Sequence, residues 1–312
     1  MLSLVIPVYK NEGSLPELLD CVAGLHKALS GDLEAVFVVD GSPDRCFEIL
    51  RAALPARPFP SKLVLLTRNF GSFAAIRQGL AVGAGERFAV MAADLQEPPE
   101  LVLEMDGLLR AGDCDVVVGQ RNGRADPLCS RLMAGTFWGL YRRYVVKEMP
   151  PGGVDVFACN RVFRDTLLSL EERHSSLVAQ IFWLGFRRRG VTYERRERRH
   201  GKSAWTFRKK VNYLCDSVFS FTDLPITLLI RVGGITALLA LLFGVAVAAL
   251  RLAGGISVPG YAMTICSIVF FGACNLLGLG IVGAYAWRAY ENTKGRPLAI
   301  PLSVHSFNGK EE

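Results

Sequence analysis

The first part of the chain repeats one pattern: a short apolar run rich in β-branched residues, an abrupt polar end, then a stretch with helical spacing. Leu2 to Tyr9 alternates apolar and β-branched residues up to Pro7 and breaks into Lys10-Asn11-Glu12-Gly13, which predicts a buried strand and a loop. Ser14-Leu15-Pro16-Glu17 has capping-box spacing and opens a helix to about Leu29. Ala35 to Val39 predicts a second strand, ended by Asp40-Gly41-Ser42-Pro43-Asp44, with a helix toward Ala53. Leu63 to Leu66 is the third, closed by Thr67-Arg68-Asn69-Phe70-Gly71 and followed by a helix to about Val82. The fourth run, Phe88-Ala89-Val90-Met91, breaks into Asp94, Gln96 and Glu97. Pro98 and Pro99 follow, with the fixed φ that suits a first helical turn, and a helix runs from Pro98 to Leu109. Val116 to Val118 is the fifth strand, ending in Gly119-Gln120-Arg121.

Strands alternating with helices predict an α/β domain with a largely parallel, doubly wound sheet. In such a sheet the polar ends Tyr9, Asp40, Arg68, Asp94 and Arg121 converge on one edge, where open α/β sheets place their ligands. No GxGxxG follows the first strand and no GxxxxGK[ST] occurs, which excludes the usual dinucleotide fingerprint and the P-loop.

The pattern changes after Leu224. Val232 to Leu250 is uncharged and long enough to cross the ~30 Å hydrocarbon core as a helix, and Tyr261 to Trp287 is a second such span. Arg208, Lys209 and Lys210 precede this hairpin and Arg288, Lys294 and Arg296 follow it, so the positive-inside rule places both ends in the cytoplasm. Gly272, Gly278, Gly280 and Gly283 offer small-residue faces for close helix packing. Between the two halves, Arg131 to Arg143 reads equally as an amphipathic helix at a bilayer or as an ordinary packed helix. Pro150-Pro151-Gly152-Gly153 predicts a loop presenting Asp155, and a helix follows Glu171-Glu172-Arg173-His174 through Trp183.

Charge and cysteine usage refine this picture. The formal net charge is +7, and Arg187 to Lys210 carries eleven Lys and Arg against two Glu. Beside apolar spans such a run faces anionic lipid or a phosphate-bearing substrate more readily than nucleic acid. The eight cysteines show no CxxC or metal-finger spacing, which predicts reduced thiols. MLSLVIPVYK lacks a basic n-region and a long apolar core, so no signal peptide is expected and the N-terminal domain is expected in the cytoplasm.

The segments IPVY with Glu12, VDGSPD, LTRNFG and ADLQEPPE, in this order, resemble the nucleotide-sugar-binding half of family 2 glycosyltransferases of GT-A fold. Within that family the chain is similar to polyprenyl-phosphate glycosyltransferases, through Arg121, Arg131, Gly153-Val154-Asp155, the RxxGxSxW stretch Arg198 to Trp205, the two apolar spans and Tyr290-Glu291…Arg296-Pro297. The resemblance implies a GT-A domain over 1–203, an amphipathic juxtamembrane segment over 204–223, two transmembrane helices over 224–290 and a cytoplasmic tail over 291–312. It implies transfer of a hexose, with UDP-glucose as first donor, to a polyprenyl phosphate such as undecaprenyl phosphate at the inner membrane, with inversion at the anomeric carbon. A homo-oligomer, a tetramer by resemblance, is expected, with no nucleic-acid partner.

The site residues carried over are these. Asp94, Arg121, Arg131 and Asp155 are expected to be catalytic. Pro7, Tyr9, Glu12, Asp40, Arg68 and Asp94 are expected at the donor, and Arg131, Arg198, Lys202 and Ser203 at the acceptor. Asp94 and Gln96 are expected to hold Mg²⁺ or Mn²⁺. Two positions depart from the family pattern: Val39 and Ala92 stand where it has acids. Loss of the first acid of the Asp-x-Asp motif leaves the cation one oxygen ligand short, a deficit that waters and phosphate oxygens partly make up around Mg²⁺. The same departures suit a non-catalytic membrane scaffold. A processive polysaccharide synthase is the other rival, and Gln180-Ile181-Phe182-Trp183 does not match its QxxRW signature.

Overall fold

The computed structural model describes residues 1–121, 139, 142–143, 146, 148–150, 153–172, 175–196, 217–219, 221–222, 224–252 and 260–309. Strands β1 (Leu2–Val8), β2 (Leu33–Val39), β3 (Ser61–Leu66) and β4 (Arg87–Val90) alternate with helices α1 (Leu15–Ala28), α2 (Cys46–Ala53), α3 (Ser72–Val82) and α4 (Pro99–Ala111). β5 (Val116–Arg121), β6 (Val154–Asn160), α5 (Arg161–Ser169), α6 (Leu177–Trp183) and β7 (Arg188–Tyr193) complete the globular part. Two long helices, α7 (Leu224–Leu252) and α8 (Tyr261–Thr293), lead to a final strand, β8 (Pro301–Phe307).

All eight strands form one sheet, in the order β7-β5-β6-β4-β1-β2-β3-β8. β1, β2, β3 and β4 pair in parallel, as do β5 and β7. The side-chain alternation of a strand divides the core into two layers. Leu4, Ile6 and Val8 of β1, with Ala35, Phe37 and Val39 of β2, pack with Leu18 and Val22 of α1 and Leu101 and Met105 of α4. Val5, Val36 and Val38 point the other way, onto Ile76 and Leu80 of α3, Phe163 of α5 and Ile181 of α6. Burial on both faces explains why these strands read as continuous apolar runs. Gly79 lets α3 approach β1 closely, since a Cβ there would meet Val5 Cγ1 at 2.3 Å.

The sheet is mostly parallel, as expected, with antiparallel strands at two places. β6 lies antiparallel between β4 and β5. Gln120 at the end of β5 sits opposite Val154 at the start of β6, so the chain re-enters the sheet from the edge it had just left. Asp155 is thus a strand residue, and not the tip of a loop. β8 is the second such strand: it pairs antiparallel with β3, Leu63 opposite His305, inside the segment expected to be a tail. The capping box is a third correction. Ser14 makes no side-chain cap bond to α1; its single hydroxyl proton has two carbonyls within reach instead, Ala93 at 2.8 Å and Asn11 at 3.0 Å.

The apolar helices run further than the pattern alone predicts. They lie antiparallel at their shared end, where Tyr285 donates its hydroxyl to the Thr222 carbonyl at 3.1 Å and Gly278 faces Leu229. Among the described residues, Phe270–Thr293 is long and apolar enough to cross a bilayer, and Leu224–Thr236 is a shorter apolar helical stretch. Large apolar side chains on both helices, Leu228, Phe243, Phe271 and Leu279 among them, are exposed. The described cysteines, Cys21, Cys46, Cys114, Cys159 and Cys274, are free thiols.

Candidate active site

β1 is flanked by β2 on one side and β4 on the other, so the winding direction reverses between β1 and β4. Such a switch point opens a crevice beyond the carboxyl ends of the strands. The ladder to β4 ends at Val5 opposite Val90, and half-buried Pro7 lies past it, where β1 keeps only its β2 partner and a missing N–H costs little.

On one flank of the crevice the loops after β1, β2 and β3 bind one another. Asp40, 2% exposed, accepts the backbone N–H groups of Phe70 (2.7 Å) and Gly71 (2.9 Å). Asn69 Nδ2 donates to its carbonyl at 3.2 Å. Gly41 follows with φ +55°, and a Cβ there would fall 2.3 Å from the Arg68 carbonyl carbon, so the crossing of the two loops requires glycine. Ser42 accepts from the Lys10 amide (2.8 Å) and donates to Asp44 (2.5 Å), Asp44 accepts from the Glu12 amide (3.3 Å), and Glu12 accepts from the Arg45 amide (3.2 Å). Burial pushes the Asp44 carboxyl up, but the bonds from Ser42, Cys46 and Glu12 outweigh it and hold the group below the ordinary aspartate value. Asp40 and Glu12, expected at the donor, therefore brace the loops. Tyr9 is half-buried and Arg68 exposed; the Arg68 guanidinium stacks on Phe70 at 4.2 Å and donates to the Asn69 carbonyl at 3.4 Å.

The other flank is built from the loop after β4. The Met91 amide makes the last bond to β1, at Val5. Leu95 then takes a left-handed backbone, φ +54°, unusual for a branched residue and held by its neighbours. The Leu95 amide reaches back to the Ala92 carbonyl (3.5 Å) and the Gln96 amide to Asp94 Oδ1 (3.4 Å), so Ala92 to Gln96 forms a tight turn with Asp94 at its corner. Gln96, expected beside the cation, is committed elsewhere. Its side-chain oxygen accepts from Arg195, its Nε2 donates to the Arg196 carbonyl (3.3 Å), and its backbone carbonyl takes the Arg196 amide (2.8 Å).

Glu97 is 3% exposed, and its Oε2 has no hydrogen-bond partner among the described residues. Burial, then the negative charge of Asp94, pushes its carboxyl up to about 7; Arg195 opposes this and Asp155 adds to it. Asp155 of β6 meets Arg121 of β5 in an ion pair and accepts the Tyr193 hydroxyl of β7 at 3.0 Å. Burial and the Asp155 carboxylate push the Tyr193 hydroxyl up, so it stays a donor. Arg121 Nε, also buried, has no partner among the described residues.

The structure pairs Asp155 with Arg121, two of the expected catalytic residues, while Asp94 stands at the corner of the turn after β4, and the charges of Asp94 and Asp155 both bear on Glu97. It adds Glu97, Tyr193 and Arg195, to which sequence reasoning gave no role. Glu97 was visible as a carboxylate before Pro98; its burial was not. Arg131, Arg198, Lys202 and Ser203 lie outside the described residues. The basic run expected to face lipid or phosphate leads into β7: Arg187, just before the strand, pairs bidentately with Asp115 (both contacts 3.0 Å), and Arg188 at its start pairs with Glu148.

Among the described residues, no three His, Cys, Asp or Glu side chains are grouped as a metal cage. The donor chemistry here is oxygen, from Asp94 and from Glu97 Oε2, which has no partner among the described residues, and it fits a hard divalent cation that completes its shell with water and phosphate oxygens. The residues fit Mg²⁺ or Mn²⁺ in that open arrangement.

The model of the family "Glycosyl transferase family 2" matches residues 3–170. The chain is 31% identical to an uncharacterized glycosyltransferase of Synechocystis sp., over 96% of this chain and 94% of that one. It is 34% identical to the undecaprenyl-phosphate 4-deoxy-4-formamido-L-arabinose transferase of Pseudomonas paraeruginosa, over 95% of this chain and 88% of that one. Among solved structures it is similar to glucosyl-3-phosphoglycerate synthase from Mycobacterium tuberculosis in complex with Mn²⁺, uridine diphosphate and glucosyl-3-phosphoglycerate, at 18% identity and a TM-score of 0.46, covering 70% of this chain and 77% of that one.

Proposed function

The chain belongs to glycosyl transferase family 2, and from that premise we propose that it transfers a sugar from a nucleoside diphosphate to a polyprenyl phosphate at the membrane surface. The observation that carries this reading is the Arg121–Asp155 ion pair, with Arg121 Nε left without a partner among the described residues, at the carboxyl edge of a sheet whose last strand follows an apolar helix. The Pseudomonas relative, named for transfer involving undecaprenyl phosphate, supports the acceptor. A hexose is the proposed cargo and UDP-glucose the first donor to test; because that relative's name carries a modified arabinose, pentose donors belong in the same panel.

The residues divide the work by charge. An acceptor phosphate is already largely ionised at pH 7, so its oxygen needs little help from a base. Stabilising the diphosphate leaving group and bringing two anions together is the harder task. Asp94 holds a divalent cation, which when bound offsets charge on the diphosphate. Arg121, oriented by Asp155 and Tyr193, offers its free Nε–H to a phosphate oxygen. Tyr9 and Arg68 hold the nucleoside, on loops braced by Asp40 and Glu12. Gln96 docks Arg196 beside the cation loop, and so fixes the root of the segment bearing Arg198, Lys202 and Ser203, which with Arg131 handle the acceptor phosphate and exclude water. Single displacement with inversion is the proposed course.

Membrane attachment follows the same logic. β8 pairs with β3, and Thr67 after β3 donates its amide to the Ile300 carbonyl at 3.0 Å. The segment after α8 therefore lies on the same side as the catalytic sheet, which supports an even number of crossings by Val232 to Leu250 and Tyr261 to Trp287. The proposed orientation is cytoplasmic, from the flanking basic residues. Lys294 lies over the rings of Tyr290 (4.3 Å) and Trp287 (5.0 Å), a cluster suited to the interface where α8 ends.

The test is direct. Purified protein, undecaprenyl phosphate and a panel of radiolabelled nucleotide sugars should yield an organic-extractable product with at least one donor. No product with any donor, at any divalent-metal concentration, would favour the non-catalytic scaffold.

A further inference from the structure

The cation loop lacks an acid at Ala92 yet holds a buried one that nothing explains. Glu97 has its Oε2 enclosed and without a hydrogen-bond partner among the described residues. Enclosing a carboxylate oxygen without a partner is costly, and such a group in a native structure calls for an explanation, a bound ion being one. Its surroundings raise that cost. The charges that reach it are two carboxylates, Asp94 and Asp155, and one guanidinium, Arg195. Arg195 already donates to Gln96, and Asp155 is met by Arg121 and Tyr193. Oε2 is therefore left without a donor among the described residues, and Asp94, whose charge weighs on Glu97 most after burial, stands at the corner of the tight turn that closes from Leu95 to Ala92.

We infer that Glu97 supplies the carboxylate missing at Ala92, so that the donor's divalent cation is held by Asp94 and Glu97 across the Leu95 turn. This rests on the proposed transferase reading and deepens it: the motif has moved its second acid from the strand end to the start of the next helix. The geometry suits a hard cation, because two acidic oxygens can share it while diphosphate and water take the remaining positions. It also gives the left-handed Leu95 a purpose, since that residue reverses the chain between the two acids.

The test reads cation binding itself, with full-length protein in detergent and UDP present, by titrating Mn²⁺ and following the free-ion signal by electron paramagnetic resonance. Glu97→Gln, nearly isosteric, should weaken Mn²⁺ by about tenfold or more, a loss typical of removing a group that supports a metal. Adding Ala92→Asp to Glu97→Gln should restore most of the affinity, because the second acid returns to the strand end. A folded Glu97→Gln protein with wild-type Mn²⁺ affinity would overturn the inference while leaving the transferase reading intact. Wild type that binds no Mn²⁺ with UDP, yet still transfers sugar in chelator, would overturn the inference together with the cation's role. Should Glu97→Gln fail to fold, Glu97→Cys provides the second arm: a thiolate in the shell should shift preference from Mn²⁺ toward Cd²⁺, and an unchanged preference in folded protein would refute the assignment.

Discussion

The two flanks of the crevice use the same residue types in opposite ways. On the nucleotide flank Asp40, Ser42, Asp44 and Glu12 meet the backbone amides and hydroxyls of neighbouring loops. On the cation flank Glu97 Oε2 and Arg121 Nε are buried with no partner among the described residues. A satisfied polar network rigidifies, whereas a buried polar atom without a partner is costly and calls for an explanation such as a bound ion or water. On the proposed reading, the contrast separates residues that shape the site from residues that act in it, although both kinds sit at strand ends and look alike in sequence.

The contrast makes predictions, and the largest concerns Asp94. Asp94→Ala should cut transfer by ~100-fold or more through lost transition-state stabilisation, with little change in the thermal midpoint. Near-wild-type turnover would break the assignment of this flank to chemistry. Asp40→Ala should do the reverse. It strips the acceptor from two backbone amides, so stability should fall by about 2–3 kcal/mol in denaturant titrations. Donor KM should rise more than kcat falls; an unchanged midpoint with lost kcat would move Asp40 to the acting group.

A smaller effect is expected at Arg121. Arg121→Lys keeps the charge and loses the fork that reaches Asp155 and a phosphate together, so kcat should drop by about tenfold. Wild-type kcat in that variant would mean a point charge suffices. The smallest effect is on acid stability through Asp44. Its carboxyl titrates below the ordinary aspartate value in the folded protein, so its contribution is present above the unfolded pKa and is lost as pH falls through the folded one. Asp44→Asn should therefore flatten the fall in thermal midpoint below about pH 4. An identical acid slope would remove Asp44 from the brace.

Much of the fold was legible because its signals are local. The first four strands are bounded to within a few residues, because both faces are buried and the polar positions, Ser3, Glu34, Ser61, Lys62 and Arg87, fall only in the first two residues of each strand. The strands that escaped notice, β6, β7 and β8, are those whose identity depends on distant partners. In β7, Val191 and Tyr193 are buried while Arg189 and Gly190 stay exposed, so the strand was submerged in a basic run. Charged residues are a common way to blunt the edge of a sheet. β8 begins with Pro301 and leaves Leu302 and Val304 exposed, which reads as a tail until β3 is seen beside it.

By itself the sequence determined the layered α/β core, the crevice edge and the apolar helices, since periodicity and strand-end chemistry are written residue by residue. It also placed Asp94 and marked Ala92 as a departure. Only the tertiary structure decided which acids are spent and which remain open. Hydrogen-bond satisfaction depends on groups far apart along the chain: Asp40 is answered by Phe70 and Gly71, Gln96 by Arg195 and Arg196, and Asp155 by Arg121 and Tyr193. Glu97 stands apart because folding encloses its carboxyl without bringing any described residue's donor to Oε2, and burial is a property no single segment carries.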